Sequence, residues 1–283
     1  MRTASRMRID AHHHLWRYDP SVFGWIASGS AIARDFATED LRSALDDAAL
    51  DAAIAVQARQ SPEETRFLLN AARQEPAIIG VVGWIDLRAP NITALLDEHT
   101  DPLVVGYRHV VQDEDESDFL LAGTFINGVR AVVEQGLTYD LLVNHGQLET
   151  VPQFLDRVGE GRFVLDHAAK PDIAGQGWQP WADRISAVGE RRDVWCKVSG
   201  LVTEADHTAW TPDDVERYLD HVLAVFGPER LIWGSDWPVC LLAASYDRVV
   251  DLVADWVARC CPDAEAAIFG GNALRAYAIG RAR

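Results

Sequence analysis

Residues 194–235, VWCKVSGLVTEADHTAWTPDDVERYLDHVLAVFGPERLIWGS, hold one complete structural unit. The runs at 194–198 and 231–235 are short, largely apolar and rich in strand-forming residues. Between them, residues 211–226 space their apolar positions with helical periodicity, and Thr211-Pro212-Asp213 supplies a cap, a first-turn proline and an acid together. Strand, helix and strand in that order imply two parallel strands joined by a helical crossover.

The same unit recurs outward along the chain. Further strand runs lie at 9–14, 52–57, 78–85, 103–110, 137–143 and 163–167, and helical patterns fill 37–51, 61–75, 91–99, 119–136, 147–158 and 181–192. Thr38 and Ser61 stand ahead of acids in the first turns of two of these helices. Residues 245–277 read as an eighth helix, a proline break and a short helix that caps the barrel. Eight strand–helix units favour closure into a (β/α)8 TIM barrel of the α/β class over an open doubly wound sheet, and no G-x-G-x-x-G turn supports a nucleotide-binding alternative. Neither a linker nor low-complexity sequence interrupts the chain. The sharpest composition change, QDEDESD at 112–118, is expected as a surface loop. A single barrel domain spanning residues 1–283 is therefore predicted, and that length is within the usual size of one barrel.

Acids outnumber bases 43 to 26, a net charge of −17, which excludes a nucleic-acid surface because phosphate binding needs clustered Lys and Arg. Four cysteines are too few and too unevenly spaced for a disulfide framework or a CxxC zinc site, so a reducing cytoplasm is the expected home. Cys240 and the pair Cys260 and Cys261 are expected to pack as small apolar residues. Residues 1–8 are basic but lead straight into a strand, without the apolar run of a signal peptide or membrane span. No membrane partner is expected, and a homodimer through the acidic helices stays open.

The chemistry gathers at strand ends. In DAHHHLW, residues 10–16, a strand periodicity of two puts His12 and His14 on one face and His13 on the other. VLDHAAKP (164–171) ends the sixth strand with His167, and LIWGSDWP (231–238) ends the eighth with Asp236, so all four groups emerge at the C-terminal rim where barrel active sites lie. Two imidazoles there can hold a divalent ion or polarise a substrate oxygen. Asp236 suits a base for water, a metal ligand, or an N-cap that Ser235 could replace. VVGYRHV (104–110) offers Arg108 and His109, of which one points inward. Arg108 is the favoured candidate, its fork being suited to a carbonyl or carboxylate oxygen. Lys197 and Ser199 share a face, and Lys197 reads equally as a buried ion-pair partner or a catalytic group. Trp16, Trp84, Trp195, Trp233 and Trp237 lie near strand ends; packing accounts for most, and Trp237, beside Asp236, is the candidate for substrate contact. The loops at 16–32 and 203–210 are expected to shape the pocket.

The H-x-H motif, VLDHAAKP, CKVSGL (196–201), LIWGSDWPV (231–239) and IFGGNALRAY (268–277), in this order over nearly the whole chain, resemble the amidohydrolase-2 group of the amidohydrolase superfamily. GYRHV (106–110), GLTYDLLV (136–143) and GSDWPV (234–239) are most similar to its sugar-lactone hydrolases, which act on rings such as L-fuconolactone and L-rhamnonolactone. The resemblance implies a (β/α)8 hydrolase that opens an aldonolactone, with His12, His14, His167 and Asp236 at its centre. One divalent ion, zinc foremost, would rest on His12, His14 and Asp236, with His167 as an additional ligand. A two-metal centre is disfavoured because no bridging lysine ends the fourth or fifth strand, and a metal-free centre in which the histidines act directly stays open. Asp236, His167 and Arg108 are the expected catalytic groups: Asp236 deprotonates water, Arg108 and the histidines or their metal hold the oxyanion, and His167 orients substrate or protonates the departing alkoxide. Arg108, His109 and Trp237 are the expected substrate contacts. A metal-dependent decarboxylase of an aromatic or unsaturated carboxylic acid and a catalytically silent sugar-acid binder are the rival readings.

Overall fold

The computed structural model describes residues 7–114 and 118–280. Part of the expected 112–118 surface loop and both ends of the expected domain therefore lie outside the described residues. Eight parallel strands follow in order: β1 (Ile9–His13), β2 (Ala52–Val56), β3 (Ile78–Gly83), β4 (Val104–Val110), β5 (Thr138–Leu142), β6 (Arg162–Leu165), β7 (Val194–Val198) and β8 (Leu231–Trp233). The connections carry α1 (Thr38–Asp47), α2 (Pro62–Gln74), α3 (Ile92–Glu98), α4 (Gly123–Glu134), α5 (Val151–Val158), α6 (Trp181–Gly189), α7 (Pro212–Phe226) and α8 (Tyr246–Cys260). The short α9 (Asn272–Ala276) follows them. The architecture is a (β/α)8 TIM barrel.

Local chemistry starts the helices much as the sequence implies. Ser61 Oγ accepts from Glu64 N–H at 3.3 Å ahead of Pro62 in α2, and Thr211 donates its backbone N–H and its hydroxyl to Asp214 Oδ2, both at 2.8 Å, at the start of α7. Thr38 instead opens α1 as its first residue, and Asp40 Oδ2 accepts the Ala37 N–H at 2.9 Å.

Two apolar layers sandwich the sheet. The outer one packs Leu41, Leu68, Phe125, Phe154, Ile185, Tyr218 and Trp256 of the helices against the strands. The inner one fills the barrel with Ile9, Ala11, Ile54, Val56, Val82, Val105, Val164 and Ile232. Ala273, Ala276 and Tyr277 join that inner cluster, so α9 plugs the barrel's N-terminal end.

Strict alternation from Ile9 and Ala11 would turn His12 outward. The β1–β2 pairing shifts register between Asp10 and His13, and this brings Ala11 and His12 to the barrel axis in succession. Asp10 is left on the other face, where its carboxylate joins the two ends of the sheet. It accepts from Ser235 N–H at 2.9 Å, Ser235 Oγ at 2.5 Å, Tyr246 OH at 2.9 Å and His12 N–H at 3.1 Å. Burial pushes the Asp10 carboxyl up from its ordinary pKa, and these donors work against that rise. Ser235 thus spends its hydroxyl on Asp10 rather than capping a helix; Ser245 caps α8. Backbone bonds from Asp236 N–H to His12 O (2.8 Å) and from His14 N–H to Trp237 O (2.7 Å) complete the junction between β1 and the segment after β8.

That junction needs close approach. A Cβ at Gly234 would lie 2.7 Å from His12 Cβ and 2.9 Å from its backbone nitrogen. Gly234→Ala is therefore expected to cost about 1–3 kcal/mol through overpacking, read as a lower thermal midpoint with the far-ultraviolet spectrum retained. An unchanged midpoint would show that the strands part without strain.

Candidate active site

The strands end sooner than their apolar runs, and the functional side chains stand just beyond them. β6 stops at Leu165, and residues His167 through Lys170 then take left-handed backbone, with φ between 47° and 56°. β8 stops at Trp233, and Asp236 is left-handed as well, at φ 58°. The expected strand ends at 167 and 235 are thus corrected: each chain segment leaves the sheet through a turn that extended geometry cannot make. The turn at Asp236 aims its carboxylate over the barrel mouth, where three imidazoles face it. His14 Nε2 lies 3.4 Å from Asp236 Oδ1, His12 Nε2 3.7 Å and His167 Nε2 3.9 Å. All four side chains are buried.

Below them lies a second layer of charge that the motifs did not reveal. Lys197 Nζ, fully enclosed, donates to Asp140 Oδ2 at 2.6 Å, sits 3.0 Å from Asp166 Oδ1 and touches His12 Nδ1 at 3.1 Å. Tyr277 OH donates to the same Asp140 oxygen at 2.6 Å. Arg108 donates to Asp166 Oδ2 at 3.0 Å and to the Gln57 carbonyl, and its Nη1 stands 3.2 Å from His12 Nε2. Arg108 thus points inward. Lys197 is an ion-pair partner that also contacts a histidine of the cluster.

These neighbours set the charge states. Burial alone would raise Asp166, but Lys197, His12 and Arg108 hold it well below the usual carboxylate range. Burial wins at Asp140 and pushes it up to about 6 against the pull of Lys197. Burial and the Lys197 charge drive His12 far below its ordinary pKa, and burial brings His167 down to about 4, so both are neutral at pH 7. Burial also opposes ionisation of Asp236, yet the charge that His167 carries when protonated, a hydrogen bond with His14 and the charge of His12 outweigh it, so the Asp236 carboxyl is lowered and loses its proton before the imidazoles do.

A neutral imidazole carries one N–H. The Val56 carbonyl, which can only accept, takes the His14 Nδ1 proton at 2.8 Å, and His14 Nε2 faces Asp236. At His12 both ring nitrogens face cationic donors, Lys197 Nζ at 3.1 Å from Nδ1 and Arg108 Nη1 at 3.2 Å from Nε2, with Asp166 Oδ1 3.5 Å from Nδ1. His167 Nδ1 is hydrogen-bonded to Ser199 Oγ at 2.9 Å. Imidazole nitrogens turned to a carboxylate need a proton or a cation between them, and a donor set of imidazoles and a carboxylate suits a divalent ion. Ligand atoms of His12, His167 and Asp236 all lie within 4.8 Å of one another. Bonds of about 2.0–2.1 Å to a tetrahedral ion would set them about 3.4 Å apart. Three of the four expected ligands are in this group, and His14 stands beside it, 3.4 Å from Asp236 and edge-on to His12 at 5.0 Å.

A cavity of about 710 Å³ opens above this cluster, with His14, Arg108, His167 and Asp236 at its floor. Trp16, Val22 and Trp25 line one wall, and Thr203, Glu204 and His207 another, as the two loops implied. Arg59, Gln60, Gln112, Asp113 and Lys170 also line it, and Lys170 pairs with Glu204 at 3.1 Å. His109 and Trp237 are not among these residues, which corrects their assignment as substrate contacts. His109 turns to the outer face of β4, bonded to Glu114 at 2.6 Å and stacked on Phe119 at 4.9 Å. Trp237 packs edge-on against Phe36 at 5.0 Å, because the turn at Asp236 rotates the following side chain into the core.

The profile of the amidohydrolase family matches residues 9–279, and the chain belongs to that family. An L-fucono-1,5-lactonase of Burkholderia multivorans is 42% identical over 285 residues, covering 96% of each chain. One of Burkholderia ambifaria is 36% identical over 283 residues, covering 97% of this chain and 96% of its own. A crystal structure of an amidohydrolase from Burkholderia multivorans with bound zinc matches with a TM-score of 0.93 at 41% identity, covering 96% of this chain and 99% of that one.

Removing one member of the buried charge layer should expose its interdependence. Lys197→Met strands Asp140 and Asp166 and is expected to cost about 3–5 kcal/mol in urea unfolding. Adding Asp140→Asn should return part of that loss; a double variant no more stable than the single would remove the charge-pair explanation.

Proposed function

We propose, from membership of the amidohydrolase family, that this chain is a hydrolase that opens the ring of a sugar-acid lactone such as L-fuconolactone. The observation that carries this reading is the Asp236 carboxylate set among three imidazoles, with Arg108, at the floor of a cavity. The lactonase relatives support it along nearly the full chain.

Asp236 takes a proton from water as the water oxygen attacks the lactone carbonyl. A carboxylate held this far below its usual pKa is a weak base, so the carbonyl must be strongly polarised for the attack to succeed. Arg108, pinned by Asp166, offers a fixed positive charge for the oxyanion. His12, His167 and Asp236 would hold a divalent ion, zinc by its preference for imidazole and carboxylate donors, and such an ion supplies Lewis-acid polarisation of the carbonyl. When the tetrahedral adduct collapses, the carbon–oxygen bond of the ring breaks and the proton on Asp236 passes to the departing alkoxide. His167, neutral at pH 7, is a poor acid and acts by holding position through Ser199. The ring-opened acid then releases a proton to solvent. The four free cysteines suit a reducing cytoplasm, and no helix among the described residues is long and apolar enough to cross a membrane.

A pH-indicator assay against a panel of aldonolactones tests the reaction. Asp236→Asn is expected to lower kcat by about 10²–10⁴-fold with the fold intact, and near-normal turnover would end its role as base. Dialysis against a chelator should abolish activity and added zinc should restore it. Activity that survives chelation would assign the polarisation to Arg108 and the histidines alone.

A further inference from the structure

Among the described residues, two large hydrophobic side chains are exposed, Val22 at 41% and Trp25 at 54%. Both belong to the segment between β1 and α1, and both line the cavity above Asp236. The exposure is built in. Phe23 and Ile26, on either side of Trp25, are buried to 2% and 5%. Val22 and Phe23 donate their N–H groups to the Asp19 carbonyl, and Ile26 donates to that of Phe23, each at 2.9 Å. The indole is therefore held out in water by a turn anchored on both flanks.

Behind it stands Trp16, whose ring meets Trp25 edge-on at 5.9 Å and His14 near-parallel at 6.5 Å. Aromatic rings thus run from the acid–base centre to the cavity mouth. Trp16 spends its indole N–H on the Arg34 carbonyl at 2.9 Å and is buried. Trp25 makes no such bond among the described residues, so its face and its N–H are both available to a ligand.

We propose that Trp25, flanked by Val22, is a substrate-contacting residue whose indole stacks on the apolar C–H face of the lactone's sugar ring. This rests on the lactonase reading above. The half of the ring left in water contributes little to folding, but its burial under a sugar becomes binding energy. Standing two rings away from the base, Trp25 meets parts of the sugar that do not change during the reaction. Its contribution is the same in the ground and transition states, so it governs KM and leaves kcat alone.

The test compares wild type, Trp25→Ala and Trp25→Phe on the same aldonolactones, with sedimentation and thermal melting of each. Trp25→Ala should raise KM about tenfold with kcat within about twofold, and weaken binding of the ring-opened aldonate by the same factor in calorimetry. Trp25→Phe, which keeps an aromatic face and the fold, should stay within about threefold of wild-type KM. An active wild type whose KM is unmoved by Trp25→Ala overturns the inference alone. So does a wild-type dimer that Trp25→Ala dissociates without change in KM, because the ring would then serve a second copy of the chain. A wild type inert toward every lactone overturns the lactonase reading and this inference together.

Discussion

The ammonium of Lys197 lies at the axis of the barrel with no solvent around it, and the upper half of the molecule is arranged to make that tolerable. An isolated charge there would cost far more than the protein's whole stability margin. Asp140 and Asp166 neutralise it from two sides, and Tyr277 reaches up from the plugged end of the barrel to share Asp140. Asp166 in turn fixes Arg108, and Lys197 and Arg108 flank the two ring nitrogens of His12. The histidine that starts the motif is therefore oriented by groups from four other strands or strand ends. Its neutrality follows from burial first and then from the Lys197 charge beside it.

This arrangement separates two layers of charge. The lower one is closed and balanced, and its role is to hold positions. The upper one, around Asp236, presents imidazole nitrogens and a carboxylate to a cavity, which is an arrangement open to a cation, a proton or a substrate. The left-handed turns after β6 and β8 carry groups from the first setting to the second: Asp166 faces down and His167, the next residue, faces up.

Much of this was legible in the sequence because the signals are local. Periodicity within ten or fifteen residues located the strands and helices, and the strand ends named His12, His14, Arg108, His167 and Asp236. What local pattern could not carry is pairing. Asp140 finds Lys197 across 57 residues, Tyr277 finds Asp140 across 137, and Asp10 finds Ser235 across 225, and one sequence holds no record of such partnerships. The face of His12 was read correctly from its spacing to His14, though the register shift that brings His12 inward after Ala11 leaves no mark in composition. His109 and Trp237 were drawn in by adjacency to functional residues, and each was turned away by the backbone between them. Trp25 lies in a loop away from the strand ends, and what distinguishes it is exposure, which a linear sequence does not record.

The Asp10 junction also bears on how the chain comes into being. Synthesis delivers the histidine motif first and its carboxylate partner more than two hundred residues later, so a nascent chain waits through most of its translation with an unpaired β1 edge and a carboxylate lacking its donors. Contacts of such long separation slow the final folding step, since the ends must meet before any of them can form. The cluster around Asp236 therefore exists only when the first and last strands have met.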